Sequence, residues 1–253
     1  MFAVEAEAYD AFMGRYSVLL SPQLADFAGV QPGQRVLDVG CGPGALTSEL
    51  VGRLGAESVA AVDPSEPFVT AARARHPGVR VEQASAESLP FPDGDFDAAL
   101  AQLVVHFMSD PVAGLREMAR VCRTGGVVAT CVWDHAGGRG PLSLFWQAAR
   151  EVDPGVKDES ELAGTREGQL AELLQAAGLD RIEQTVMPAD LRHASFDEWW
   201  EPFTRGVGPA GAYVQRLDPE RRLALRVACR RLLPDGPFVL PAKAWAAGGV
   251  APG

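Results

Sequence analysis

Two acids and three glycines have the spacing that could do chemistry. Asp38 lies inside the apolar run Val36-Leu37-Asp38-Val39, and Gly40, Gly42 and Gly44 follow at alternate positions around Cys41 and Pro43. With Leu46, Leu50, Val51 and Leu54 next on one helical face, the stretch reads as buried strand, tight loop and helix start. Glycine suits such a loop because a Cβ would block both the turn and a ligand's approach to the backbone. The helix start presents unpaired N–H groups, so a nucleotide-like ligand is expected there. Asp63 is the second acid and closes the run Ser58-Val59-Ala60-Ala61-Val62. The end of a second strand, about twenty residues past a glycine loop, is where doubly wound folds bind a ribose diol through a carboxylate. Capping of the next helix is its competing role, although Ser65 could fill that instead.

The glycines alone do not choose the ligand, because Gly40, Gly42 and Ala45 also satisfy the loose dinucleotide pattern G-x-G-x-x-G/A. Asp38 discriminates better: a carboxylate just before the loop would repel a pyrophosphate and attract, directly or through water, an ammonium. Together, Asp38 and Gly40-x-Gly42-x-Gly44 resemble motif I of the class I S-adenosylmethionine-dependent methyltransferases. The run Ala86-Glu87-x-Leu89-Pro90-Phe91 is similar to the adenine-contacting loop of small-molecule members related to ubiquinone and menaquinone biosynthesis enzymes. The resemblance implies that the segment Asp38 to Gly44, including Cys41, holds the methionine end of the cofactor. It also implies that Asp63-Pro64-Ser65 holds the ribose, that Ala86 and Glu87 read the adenine, and that Gln102 and Leu103 line the cleft near the sulfonium. A helix from Glu5 to Leu20 is expected over the cofactor mouth, with Tyr9, Arg15 and Tyr16 as cofactor candidates. Arg15 is one because a guanidinium can pair with a carboxylate; solvent exposure on an amphipathic helix is the alternative.

His106 follows the fourth strand, where two roles compete: general base toward a substrate hydroxyl, or packing that orients the loop. His135, after the fifth strand, is a second base candidate, against the plainer reading of a loop histidine. Trp133 falls at the expected substrate wall. Trp199, Trp200, Phe203 and Tyr213 could shape an apolar acceptor pocket or anchor a cap to the sheet. Arg222, Arg226 and Arg230 share one helical face, read as solvated.

These residues must be positioned by a single α/β domain over 1–253. The sequence predicts a Rossmann-like, seven-stranded mixed sheet with its last strand antiparallel, helices on both faces and a small helical cap. The N-terminal helical segment occupies 1–30 and the cap 194–234. The last strand is expected over Pro237 to Trp245, with any frayed tail from Gly248. A turn is expected at Arg123 to Gly126.

Composition narrows the partners. A formal charge of −10 without a basic stripe disfavours nucleic acid, and no apolar run is long enough to span a bilayer. A cytoplasmic protein with a small-molecule acceptor is expected. The four cysteines and four histidines are scattered without ligand spacing, so no metal is expected. The predicted reaction is methyl transfer to an O, N or C atom. Rival readings are a module that binds the cofactor without turnover and an NAD(P)-dependent oxidoreductase, for which no Tyr/Lys hydride-transfer pattern is seen.

Overall fold

The computed structural model describes residues 6–253, so the first five residues of the expected N-terminal helical segment, Glu5 included, lie outside the described residues. The strands are β1 (Val36–Val39), β2 (Val59–Asp63), β3 (Arg80–Gln83), β4 (Phe96–Gln102), β5 (Cys122–Trp133), β6 (Asp180–Pro188), β7 (Leu191–His193), β8 (Phe238–Leu240) and β9 (Lys243–Val250). The helices are α1 (Ala6–Tyr9), α2 (Arg15–Phe27), α3 (Ala45–Leu54), α4 (Glu66–Arg75), α5 (Pro111–Val121), α6 (Ser143–Val152), α7 (Gln169–Ala176), α8 (Phe196–Trp200), α9 (Gly208–Arg216) and α10 (Pro219–Leu232). A π-helical turn, Asp10–Gly14, joins α1 to α2.

Seven strands form one sheet in the order β3-β2-β1-β4-β5-β9-β6. Pairing is parallel from β3 to β5, and β9 runs antiparallel to both β5 and β6. The expected mixed sheet with an antiparallel last strand is therefore present. All of β1 and β2 is buried, because helices cover both faces of a parallel sheet. Val36, Val59, Ala61 and Leu100 face α2 and α3 in one core, with Leu20, Leu24, Leu46 and Leu50. Leu37, Val39, Ala60 and Val62 face α5 and α7 in the other, with Leu115, Met118, Leu170 and Leu174.

A third core holds the cap. Phe145 and Trp146 of α6 pack with Trp199, Phe203, Tyr213, Leu225 and Cys229, and Phe12 joins them from the π-turn. This cluster draws on α6, from the chain after β5, and on α8, α9 and α10, which fall within residues 194–234. An antiparallel ribbon of β7 and β8 closes its base.

The chain end corrects the sequence reading. The run Pro237 to Trp245 is not one strand: Phe238–Leu240 pairs with β7, and Lys243–Val250 enters the main sheet. Pro241 intervenes, where a missing N–H cannot serve a ladder. Gly248 and Gly249 belong to the central ladder and not to a tail. A Cβ on Gly249 would sit 3.0 Å from Leu179 Cβ, so close packing there favours glycine. Arg123 to Gly126 likewise falls within β5, where the ladder to β4 shifts register after Phe96.

Candidate functional site

One cavity of about 260 Å³ opens at the carboxyl ends of β1, β2, β4 and β5, beside the point where the strand order reverses. Gly40, Gly42, Asp63, Pro64, Ala86 and Glu87 line one part of it. Open α/β sheets bind ligands at this place. Two of the glycines are fixed by space as well as by backbone angle. Gly40 has φ +73°, and a Cβ there would stand 2.4 Å from Val104 Cγ2; at Gly44, with φ +103°, it would stand 2.7 Å from His76 Nε2. Gly42 has φ +53° and open space where its Cβ would be.

The loop amides are already engaged. Gly40 and Cys41 N–H donate to Val62 O at 2.8 and 2.9 Å, Gly44 N–H donates to Cys41 O at 3.0 Å, and Pro43 has no N–H. Gly42 N–H donates to Asp63 Oδ2 at 2.8 Å, and Ser65 N–H donates to Asp63 Oδ1 at 2.8 Å. Asp63 therefore braces the loop that it faces. Burial raises its pKa above the usual carboxylate range, opposed by those two amides.

Asp38 is 1% exposed. Thr47 Oγ1 donates to its Oδ2 at 2.6 Å, while Oδ1 is buried without a partner among the described residues. Burial pushes its pKa up to about 7, with the Thr47 hydroxyl opposing and the charge of Asp63 adding. Glu87 accepts from Ser109 and Asp110 N–H at 2.8 and 3.3 Å, tying the Ala86-Glu87 loop to the segment after β4.

Gln102, Leu103, His106, Trp133 and His135 line the rest of the cavity with residues from the cap. Gln102 Oε1, His106 Nδ1 and Trp133 Nε1 are buried and unpartnered among the described residues. Their residues line the cavity, but these atoms are themselves closed to solvent, so they are unmet polar groups behind its surface. Leu103 has φ +62°, an uncommon angle for a leucine and a strained point in the wall. Desolvation lowers His106 to about 3, with the nearby His135 adding, and lowers His135 to about 4 against the pull of Asp158 and Asp134. Both are neutral near pH 7 and weakly basic.

Several expected site residues lie elsewhere. Tyr9 lines the cavity, but Arg15 does not. Arg15 pairs with Glu198 at 2.8 Å and donates to Arg192 O, so its charge is met by the base of the cap. Tyr16 packs edge-on against Trp133, and its hydroxyl lies 3.4 Å from His193 Nε2. Trp199, Trp200, Phe203 and Tyr213 fill the cap core and are absent from the cavity wall. Cys41, Gly44, Ser65 and Asp38 shape the loop from behind and do not line the cavity. The arginine face of α10 is not wholly solvated: Arg226 pairs with Asp197, Arg230 with Asp235, and both lie over the Phe196 ring.

The cap contributes lining that the sequence did not signal. Val207, Gly208, Pro209 and Ala210 at the start of α9, Leu142 before α6 and Glu159 in the α6–α7 loop all reach the cavity. Phe12 and Met13 reach it from the π-turn. A lone acid or alanine in a connecting segment has no pattern to mark it. Among the described residues, no group of three metal-ligating side chains comes together, and no helix is long and apolar enough to cross a membrane.

Residues 37–130 match a family model described as a methyltransferase domain. Over 231 residues the chain is 35% identical to an uncharacterized Mycobacterium tuberculosis protein, Rv1403c, covering 86% of this chain and 82% of that one. It is 34% identical over 146 residues to the malonyl-[acyl-carrier protein] O-methyltransferase of Erwinia billingiae, covering 58% of this chain and 57% of that enzyme. Among solved structures, phosphoethanolamine N-methyltransferase 2 of Haemonchus contortus, in complex with phosphomonomethylethanolamine and S-adenosylhomocysteine, superposes with a TM-score of 0.59. It is 17% identical, covering 97% of this chain and 59% of that one. The [4+2]-cyclase SpnF superposes with a TM-score of 0.60 at 22% identity, covering 93% of this chain and 82% of that one. These structural likenesses concern the fold.

Proposed function

The chain belongs to the class I S-adenosylmethionine-dependent methyltransferases, and on that premise we propose that it binds S-adenosylmethionine in the glycine-loop cavity and methylates an O, N or C atom of a small, apolar-bodied acceptor. The observation that carries this reading is the loop in which the backbone amides of Gly40, Cys41, Gly42 and Gly44 all have protein partners. An anion cradle needs free N–H groups. This loop instead has two buried acids, Asp38 and Asp63, behind and beside it. Among the described residues the cavity wall carries Asp63, Glu87 and Glu159 and no lysine or arginine. That charge pattern suits a cationic cofactor and disfavours a pyrophosphate.

The residues present fit the parts of the cofactor. Asp63 Oδ1 and Oδ2 each accept one amide and keep acceptor capacity for a ribose hydroxyl. Asp38, closed off behind the loop, would favour the ammonium as a negative charge at a distance and not by direct contact. Ala86 and Glu87, on the cavity wall, would hold the adenine side. When bound, the cofactor supplies an electrophilic methyl group activated by the sulfonium charge. The chain's contribution is alignment, worth several kcal/mol when reacting atoms are held near contact, and exclusion of water by the cap. His106 and His135 orient and hydrogen-bond in this reading, because bases that titrate near 3 and 4 take a proton poorly at neutral pH.

A screen of S-adenosylhomocysteine release across phenols, alcohols, amines and enolisable ketones tests the proposal. Acceptor-dependent release is expected from at least one class. Tight cofactor binding with no acceleration by any class would leave the protein a cofactor-binding module.

A further inference from the structure

Glu159 is an acid with no part in the cofactor end of the site. It sits between α6 and α7, is 4% exposed, and lines the same cavity as Gly40 and Asp63. The Trp146 indole N–H donates to its Oε2. Among the described residues no donor meets Oε1. Its main chain is held as well, since Leu162 N–H donates to Glu159 O at 3.2 Å. Taking a carboxylate out of water is costly unless its oxygens are hydrogen-bonded. The indole answers Oε2; Oε1 has no protein donor among the described residues, is not fully enclosed, and belongs to a residue that lines the cavity.

The surroundings decide which donor completes it. Leu142, Trp133, Val207 and Ala210 provide apolar wall, and the two histidines there are neutral. Among the described residues an entering carboxylate or phosphate meets acids and no lysine or arginine. An ammonium or hydroxyl meets a free carboxylate oxygen.

We propose that Glu159 Oε1 receives the N–H or O–H of the methyl acceptor, so that the substrate is an amine or alcohol on an apolar body and not a carboxylate or phosphate. This rests on the methyltransferase reading and sharpens it. Burial pushes Glu159 up to about 7, with the Trp146 indole opposing and the charge of Asp158 adding. Among the charged and titratable groups around it, Asp158 is adjacent in sequence and pairs with Arg150; His135 and His106 share the cavity wall, and Tyr213 lies against the Trp146 ring. An amine therefore binds more tightly as pH rises through about 7, where Glu159 becomes charged.

The test is a calorimetric titration of the protein loaded with S-adenosylhomocysteine, using 2-phenylethylamine, 2-phenylethanol and phenylacetate as matched probes. At pH 8 the amine and the alcohol are expected to bind at least about tenfold more tightly than phenylacetate, a gap of about 1.4 kcal/mol. The amine should gain affinity between pH 6 and pH 8. Glu159→Gln keeps the shape and loses the charge, so amine affinity should fall about tenfold and its pH dependence should flatten, while the alcohol changes little. Trp146→Phe removes a donor that stabilises the charged form and should move the amine's transition to higher pH. Phenylacetate binding as tightly as the amine, no binding by any probe, or an unchanged preference in Glu159→Gln would overturn the assignment. If Glu159→Gln does not fold, as judged by its thermal melt, the probe ranking and the Trp146→Phe shift decide the matter. S-adenosylhomocysteine failing to bind at the loading step would sink the methyltransferase reading and this inference together. Loading followed by the wrong ranking sinks the Glu159 assignment alone.

Discussion

Replacing Asp63 with alanine tests both the loop and its ligand. The substitution removes the acceptor for Gly42 and Ser65 N–H, each now held at 2.8 Å. A hydrogen bond to a charged group contributes about 1.5–3 kcal/mol, and a buried donor left unmet costs about 1–3 kcal/mol. Because both amides lie beside an open cavity, water recovers part of this, and a net loss of about 2–3 kcal/mol is expected. For a chain of this length that lowers Tm by about 4–12 °C. Cofactor affinity should fall by a further 1–3 kcal/mol, or about 5- to 150-fold, if a ribose hydroxyl loses a charged acceptor. Thermal unfolding with and without S-adenosylhomocysteine, followed by calorimetry on the folded variant, reads the two losses separately. A folded Asp63→Ala protein with unchanged Tm and unchanged affinity would refute both the brace and the ribose assignment.

Further outcomes follow from other parts of the site. Gly40→Ala should abolish cofactor binding or prevent folding, since a Cβ would overlap Val104 at 2.4 Å; Gly42→Ala has open space and should cost about 1–2 kcal/mol of left-handed strain, checked by denaturant titration. Asp38 has a folded pKa of about 7 against an unfolded value of about 3.9, so the native state binds the extra proton between them. Apo stability should therefore fall as pH rises from about 4 to about 7 and level off above, and Asp38→Asn should make that slope shallower; identical slopes would remove Asp38 from the titration. His106→Ala should leave cofactor affinity within about twofold and leave the shape of the pH–rate profile between pH 5 and 9 unchanged, because the ring is already neutral there. Loss of a limb of that profile would instead identify His106 as a base.

The β1-to-β5 half of the fold was legible because its signals are local. An apolar run followed by glycines at alternate positions has few other structures open to it, and Asp63 at the end of β2 could be placed by counting along the chain. The cap was less legible. Trp199, Trp200, Phe203 and Tyr213 could be recognised as buried aromatics, but burial in a cap core and exposure on a pocket wall demand the same residue types. Which occurs depends on α6, arriving from more than forty residues earlier in the chain. Arg15 misled for a related reason: its partner, Glu198, is distant in sequence. Glu159 carried no signal, since its neighbour Trp146 and the cavity it lines exist only after folding. The loop's hydrogen bonding also sharpened what the glycines mean. They allow tight turns whose amides bond inward, and the acids around them set the charge of the ligand.

The most direct measurement is parallel calorimetric titration of the purified protein with S-adenosylmethionine and with NAD. Saturable, one-to-one binding of S-adenosylmethionine, weakened in Asp63→Ala, with no detectable heat from NAD, is the expected result. Tight binding of NAD with none for S-adenosylmethionine would contradict the account at its centre.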